Sequence, residues 1–232
     1  MDKTQDKKIL FVINPKSWEM KEEQTKDYFS HFSEKYNFKY NVYYTRATDT
    51  SEDIGRKINA YKPHILVAAG GDGTVNMVAT QLLNKEIYLG IIPAGSANGL
   101  AFNLEIPDSF EESMRIIMNG DLRKLDVIKM NDSWYSYHLS DMGINARIVH
   151  RFEKEGSKGL IGYGKQMLKE LFSSSDPFSF NLQANNVNKR YRAEMLVIAN
   201  AKSYGTGATI NPAGVPDDGM FELIIIKPYP WW

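Results

Sequence analysis

The sequence predicts an α/β protein in two parts. The N-terminal domain has a doubly wound, mostly parallel sheet, and the C-terminal domain is mainly antiparallel and β-sandwich-like. Three observations carry this. Residues 1–125 alternate short apolar runs with amphipathic helical patterns, the order that builds parallel sheets. The apolar runs end in turns rich in Gly, Asn and Ser, which places those turns on the carboxyl edge of the sheet, where ligands bind in such folds. After Leu122 the helical period gives way to strands with hairpin signals. The domains are therefore drawn at 1–125 and 126–232.

In chain order, residues 9–13 (Ile-Leu-Phe-Val-Ile) read as a buried parallel strand. Asn14-Pro15-Lys16-Ser17-Trp18 is a turn. Residues 19–35 read as a helix with Tyr28, Phe29 and Phe32 on one side. Residues 39–44 form a second strand. A helix capped by Ser51 carries Ile54, Ile58 and Tyr61. A third strand, 64–69, runs into Gly70-Gly71-Asp72-Gly73-Thr74, and a helical pattern follows over 75–83. After a fourth strand, 87–92, comes Pro93-Ala94-Gly95-Ser96-Ala97-Asn98-Gly99, which enters a short helix near Leu100. Asp108 caps a helix that ends at Gly120. Beyond it, strands 124–130 and 134–140 flank the hairpin signal Asn131-Asp132-Ser133. Residues 145–154 look helical, 156–164 read as a glycine-rich link and 165–172 as an amphipathic helix. Segments 178–184 and 189–200 form a second hairpin. A glycine loop at 204–207, the turn Pro216-Asp217-Asp218-Gly219 and a strand over 220–227 close the pattern.

Composition excludes several classes. Formal net charge is zero, with 28 basic and 28 acidic residues, which argues against nucleic acid as a partner. There is no cysteine, hence no disulfide, thiolate metal site or cysteine nucleophile. That fits a reducing cytoplasm. No apolar run at the N-terminus is long enough for a signal peptide or a membrane span, so a lipid partner would be met from outside the bilayer. None of the four histidines has metal-ligand spacing, and each is simplest as a surface or core residue. GxxxxGK[ST], GxGxxG, HRD, DFG and GxSxG motifs are all missing.

The turn at 70–74 is the most informative stretch. Its glycines permit positive φ and close backbone approach, and the helix behind it offers unpaired amides and a positive dipole end. That is an anion site suited to phosphate. Asp72 is the odd member, because a carboxylate there repels phosphate unless a cation or a proton transfer gives it a role. The plainer reading is a tight turn with a capping Asp.

Asn14-Pro15-x-Ser17, Gly70-Gly71-Asp72-Gly73-Thr74 with Asn76, and Pro93-x-Gly95-Ser96-x-Asn98 resemble the three nucleotide-binding motifs of the diacylglycerol kinase catalytic-domain family. Gly143-Ile144-Asn145-Ala146, Ala199-Asn200 with the glycine loop at 204–207, and Pro216-Asp217-Asp218-Gly219 match it too. The family includes bacterial lipid kinases, sphingosine kinases and ceramide kinases, and shares a two-domain architecture with NAD kinases. The resemblance implies ATP-dependent phosphorylation of a lipid hydroxyl, with diacylglycerol as the first expectation. It implies that Asn14, Pro15, Lys16, Ser17, Thr45, Gly70, Gly71, Gly73, Thr74, Asn76, Gly95, Ser96 and Asn98 hold ATP. Asp72 would be catalytic, acting through Mg²⁺ or as a base. Asp218, with the main-chain carbonyls of Val215 and Met220, matches a structural Mg²⁺ site, and an all-oxygen donor set suits that hard cation; the alternative is a simple hairpin turn. The implied partners are a membrane lipid and the inner face of the membrane, in a cytoplasmic protein, with a homodimer left open. Residues 156–172 would rest on the membrane or cover the domain core.

The sequence also departs from the pattern. Trp18 stands where the family usually has Gly. Bacterial members continue past Trp232 and carry an acidic general base there, so the chain is expected to lack its C-terminal end. The rival readings are a NAD kinase-like enzyme and a non-catalytic nucleotide- or lipid-binding protein.

Overall fold

Four strands organise the N-terminal half. They are β1 (Lys7–Ile13), β2 (Phe38–Tyr44), β3 (Ile65–Gly70) and β4 (Tyr88–Pro93), all parallel, in the order β2-β1-β3-β4. A computed structural model describes residues 7–18, 20–143, 177–184, 186–205 and 209–228. Residues 9–13 of β1 and all of β3 are buried, as expected of strands covered on both faces.

Side chains alternate across the sheet, so each face gathers its own core. On one face Leu10, Val12, Leu66, Ala68 and Ile91 meet Ile54 and Ile58 of α2 (Ser51–Tyr61), Val75 and Val78 of α3 (Asp72–Thr80), and Leu100 of α4 (Gly99–Asn103). On the other, Ile9, Phe11, Ile13, Val67 and Ile92 meet Phe29 and Phe32 of α1 (Glu22–Tyr36) and Met114 and Met118 of α5 (Phe110–Asn119). Phe11 stacks on Phe29 with centroids 4.0 Å apart. Burying each such side chain fully contributes about 1.5–3 kcal/mol. The connections out of β1 and out of β3 leave in opposite directions, so strand order reverses between β1 and β3. The carboxyl edge beside that point is where this architecture binds ligands.

Several expected boundaries shift. Helix α1 begins at Glu22, not at residue 19. Helix α2 is capped one residue earlier than expected, where Thr50 N–H donates to the Asp53 carboxylate at 2.8 Å. Ser109 rather than Asp108 caps α5; its Oγ accepts the Glu112 amide, and Asp108 instead accepts from Asn98 Nδ2 at 3.3 Å. Helix α3 begins at Asp72, directly after Gly71, so the turn at 70–74 is shorter than its glycine content implies.

Beyond α5, β5 (Ile128–Met130) and β6 (Trp134–Ser136) pair across a turn in which Asn131 and Asp132 are both left-handed, at φ 47° and φ 60°. β7 (Leu139–Gly143), β10 (Met195–Ala199) and β11 (Glu222–Ile226) form an antiparallel sheet with β10 in the centre. β8 (Phe178–Ala184) and β9 (Val187–Ala193) form a separate antiparallel ribbon, with Phe180 stacked on Tyr191. The strand expected over 189–200 breaks at Glu194, whose N–H donates to Ile226 O at 2.8 Å, so β9 and β10 join different sheets. The break is tight: Gly143 sits at φ +105°, and a Cβ there would lie 2.1 Å from Glu194 O. The elements expected over 145–154, 156–164 and 165–172 lie outside the described residues, as do positions 206–207 of the glycine loop.

The chain divides into two units that are not contiguous in sequence. One holds Met1–Leu125, Lys129–Tyr137 and Ser203–Ala208, and the other holds Asp126–Ile128, His138–Lys202 and Thr209–Trp232. No helix among the described residues is long and apolar enough to cross a membrane.

Candidate functional site

The turns of the first unit leave the same sheet edge, and those after β1, β2 and β4 are locked to the neighbouring strand as they begin. Asn14 N–H donates to Ala69 O at 3.0 Å, Thr45 N–H to Ile13 O at 2.8 Å and Ala94 N–H to Gly70 O at 3.0 Å. The edge therefore gathers Asn14, Pro15, Lys16, Ser17, Thr45, Gly70, Gly71, Asp72, Gly73, Thr74, Gly95, Ser96 and Asn98. Asn76 lies one turn into α3, exposed, with its carbonyl accepting from Thr80 Oγ1.

Within the first turn Asn14 does the organising. Its carbonyl accepts the amides of Ser17 and Trp18, and its Oδ1 accepts the Lys16 amide at 3.0 Å. Pro15 and Lys16 are exposed at the tip. Trp18 turns its ring away from that tip. Its Nε1–H donates to Thr25 Oγ1 at 2.8 Å, and the ring packs edge-on against Phe110 at 5.8 Å and tilted on Phe29 at 6.5 Å. The residue that departs from the family thus joins the aromatic cluster of α1 and α5.

The second turn corrects an expectation. Gly70, Gly71 and Gly73 all avoid positive φ. They are needed for space instead. A Cβ on Gly70 would lie 2.5 Å from Thr74 Oγ1, inside the fold. Gly71 meets Gly95 of the next turn, where an added Cβ on Gly95 would lie 2.4 Å from Gly71 Cα. Gly73 differs from both: it is exposed, and a Cβ there would meet nothing within 4 Å. Gly71 has no side chain with which to cap α3, so the first amides of that helix are left for an outside acceptor. Thr74 is buried, and its N–H returns to Gly71 O.

The third turn is pinned internally by Asn98. Its Oδ1 accepts Gly95 N–H at 2.7 Å, and its Nδ2 donates to Gly95 O at 2.9 Å. Asn98 itself is left-handed, at φ 47°. Ser96 is exposed at the crest.

Asp72 joins the second turn to the third. Its Oδ2 accepts Gly99 N–H and its Oδ1 accepts Leu100 N–H, each at 2.9 Å. The carboxylate thereby takes the two amides that open α4, whose residues Gly99 and Leu100 are buried, which explains how a negative charge is tolerated in a turn of this kind. A loop from far along the chain closes over the third turn. Gly205, at φ +120°, lies so near that a Cβ would stand 2.6 Å from Ala97 O. Gly205 belongs to the glycine loop expected at 204–207, whereas Asn103, unassigned from sequence, binds the main chain of Ser203 two residues before it.

In the second unit, the turn at 215–220 is organised by carboxylates. Asp218 Oδ1 accepts the Met220 amide at 2.9 Å, and Asp126 Oδ2 accepts the Gly219 amide at 2.6 Å. Gly219 takes φ +78°, which favours glycine. Asp126 also donates its own N–H to Pro216 O, and its carbonyl accepts from buried Asn200 Nδ2 at 3.0 Å. Sequence reasoning missed Asp126, which belongs to no motif and reaches the turn only through the fold. Among the described residues no three His, Cys, Asp or Glu side chains gather as a metal set. A cation at this turn would rest on Asp218, the carbonyls of Val215 and Met220, and water; that all-oxygen chemistry fits Mg²⁺ or Ca²⁺. Val215, Asp218 and Met220 are all exposed.

Of the histidines, His64 is structural: its Nδ1 accepts Lys8 N–H at 3.0 Å on the edge opposite the turns.

Comparison with known proteins agrees with this picture. The diacylglycerol kinase catalytic domain model matches residues 8–130, and the YegS C-terminal NAD kinase beta sandwich-like domain model matches residues 140–230. A protein of Pectobacterium atrosepticum named "Probable lipid kinase YegS-like" is 29% identical over 168 residues, which are 70% of this chain and 56% of that protein. "Probable lipid kinase YegS" of Escherichia coli is 27% identical over 169 residues, 69% of this chain and 55% of the relative. The chain thus spans a little over half the length of the curated relatives it matches. A crystal structure of a diacylglycerol kinase from Bacillus anthracis superposes with a TM-score of 0.74 at 21% identity, over 97% of this chain and 75% of that one, which shows the shared fold. A parallel sheet carrying three linked turns, antiparallel sheets after it and a family model covering more than half of the sequence lead to one conclusion: the chain belongs to the diacylglycerol kinase catalytic domain family.

Proposed function

We propose that the protein is a lipid kinase that transfers the terminal phosphoryl group of ATP to a lipid hydroxyl, with diacylglycerol as the substrate class. The observation that supports this best is the union of the two glycine turns, in contact at Gly71 and Gly95 and bridged by the Asp72 carboxylate. Phosphoryl transfer depends on positioning and charge neutralisation more than on covalent chemistry. A rigid frame of amides and hydroxyls, open at Gly73, suits that task.

In this reading Lys16 supplies a cation at the tip of the first turn. The amides opening α3 and the Ser96 hydroxyl supply donors for phosphate oxygens, joined by the Ser17 hydroxyl once it turns from Asn14 O, to which it donates at 3.3 Å. Thr74 is buried beneath Gly70 and supports the turn. Asp72 holds the two turns in register with one lone pair on each oxygen and keeps the others for the proton of an incoming hydroxyl or for a metal-bound water. Magnesium, when bound, neutralises charge on the phosphate oxygens. In the second unit Asp218 and the carbonyls of Val215 and Met220 would hold a structural Mg²⁺, with Asp126 fastening the turn.

The test is radiolabel transfer from MgATP to micellar lipids in parallel: diacylglycerol, phosphatidylglycerol, sphingosine, ceramide and undecaprenol. Labelling of diacylglycerol supports the full reading. Labelling of another lipid keeps the kinase and replaces the substrate. ATP binding with no lipid labelled refutes lipid transfer by this chain, and phosphorylation of NAD would put the NAD kinase-like alternative in its place.

A further inference from the structure

Helix α4 is only five residues long, far too short to hold its own geometry in water. Yet its first residue is held at both its N–H and its carbonyl. Gly99 N–H is taken by Asp72, and Gly99 O accepts from Asn103 Nδ2 at 2.7 Å. The same Asn103 carboxamide reaches across 100 residues of chain. Its Nδ2 also donates to Ser203 O at 2.8 Å, and its Oδ1 accepts Ser203 N–H at 3.2 Å. It thus pairs with the Ser203 main chain on both edges, as a neighbouring strand would. Two residues on, Gly205 passes over Ala97 O at a distance that admits no side chain. Ser203 is 2% exposed, so these bonds are shielded from water.

We propose that Asn103 is a positioning residue for the nucleotide-phosphate site. It clamps the 203–205 loop onto the 94–99 turn, and so fixes the crest at Ser96 and the amides that Asp72 reads. The inference rests on the kinase reading above. Neither the family motifs nor the matched relatives' names assign this role to Asn103. Two continuous links run from it: one through Gly99 and Asp72 to the turn at 71–74, the other through Ser203 to Gly205 and the cover over Ala97.

The experiment measures MgATP affinity by calorimetry, ATP and lipid KM by kinetics, melting temperature, and amide hydrogen exchange at Gly99 and Leu100. It uses the 232-residue chain with Asn103→Ala, Asn103→Asp and Gly205→Ala. Asn103→Ala removes the bonds to Gly99 O and to the Ser203 main chain, so the turn loses its clamp and MgATP binding is expected to weaken roughly tenfold. Lipid KM is expected to stay within about twofold, because uniform binding of the second substrate is untouched. Asn103→Asp should weaken MgATP further, since a carboxylate then faces the carbonyl oxygens of Gly99 and Ser203. Gly205→Ala attacks the same contact from the other strand and should give the same pattern, which covers the case of an Asn103 variant that fails to fold. Unchanged MgATP affinity in a folded variant overturns the proposal, as does activity that falls only with the folded fraction. Wild-type protein that binds no MgATP refutes the kinase reading and the phosphate role together. Exchange at Gly99 and Leu100, faster in Asn103→Ala than in wild type, would still report the clamp, so the two failures read differently.

Discussion

Replacing Asp72 by Asn is the natural test for a catalytic carboxylate, and the structure predicts that it does more than alter charge. Asp72 accepts two main-chain N–H groups, one on each oxygen, both at 2.9 Å. The carboxamide of Asp72→Asn would offer one acceptor oxygen and one NH₂, so one of the two amides, that of Gly99 or of Leu100, would face a donor. A hydrogen bond to a charged group contributes about 1.5–3 kcal/mol, and its loss beside a partly buried donor leaves that donor unsatisfied. The expected cost is about 2–3 kcal/mol. For a chain of this size that lowers Tm by about 5–10 °C. Thermal unfolding followed by circular dichroism gives the number directly. A variant that melts within about 1 °C of wild type would refute the argument that this carboxylate holds the turns together. The practical consequence is that lost transfer in Asp72→Asn reports chemistry only after MgATP affinity has been shown to survive.

Gly73→Ala separates ligand space from fold: an added Cβ meets nothing and a helix former replaces glycine in α3, so Tm should hold or rise, by up to about 1 kcal/mol of stability, while MgATP affinity falls. Unchanged affinity would show that the ligand does not approach there. Trp18→Gly restores the family's residue but removes a ring packed on Phe110 and Phe29 and its bond to Thr25, so it should cost about 2–4 kcal/mol and leave MgATP affinity nearly unchanged. A gain in affinity would show that the ring obstructs the turn. Burial and the hydrogen bond to Asp49 push the Tyr43 phenol up from 10.0 to about 12 in the folded chain. Between those values the unfolded chain has lost the proton and the folded chain keeps it, so this contribution is complete below pH 10 and disappears as pH rises to about 12. Tyr43→Phe should flatten the fall in urea midpoint above pH 10; an unchanged slope would assign that loss to the other phenols pushed upward by burial, Tyr44, Tyr61 and Tyr137.

Much of the first unit is legible because its signals are local. Runs such as Ile9-Leu10-Phe11-Val12-Ile13 need both faces covered, and such strands joined by amphipathic helices leave few topologies. The glycine turns lie where the sequence places them, but their glycines serve a different purpose. Positive φ is a local property that sequence suggests, whereas the real constraint on Gly71 and Gly95 is the other turn, a distant partner. The caps at Thr50 and Ser109 each fall one residue from the expected position, since neighbouring polar residues compete for the same amides. The second unit is harder to read. The expected strand 134–140 divides into β6 and β7, and 189–200 into β9 and β10, and each break depends on which sheet each half joins.

The sequence by itself determined the fold class, the family and the positions of the glycine turns, because periodicity and motif spacing are written within a few residues of each other. Only the tertiary structure decided how those turns are joined. Asp72 was legible as a charge but not as the bridge to Gly99 and Leu100, Trp18 as a departure but not as a member of the α1–α5 cluster, and Asn103 and Asp126 not at all. Each of those roles is a hydrogen bond or contact between residues far apart in the chain, formed only when folding has already placed both partners. Such pairings leave no pattern within any local window of sequence.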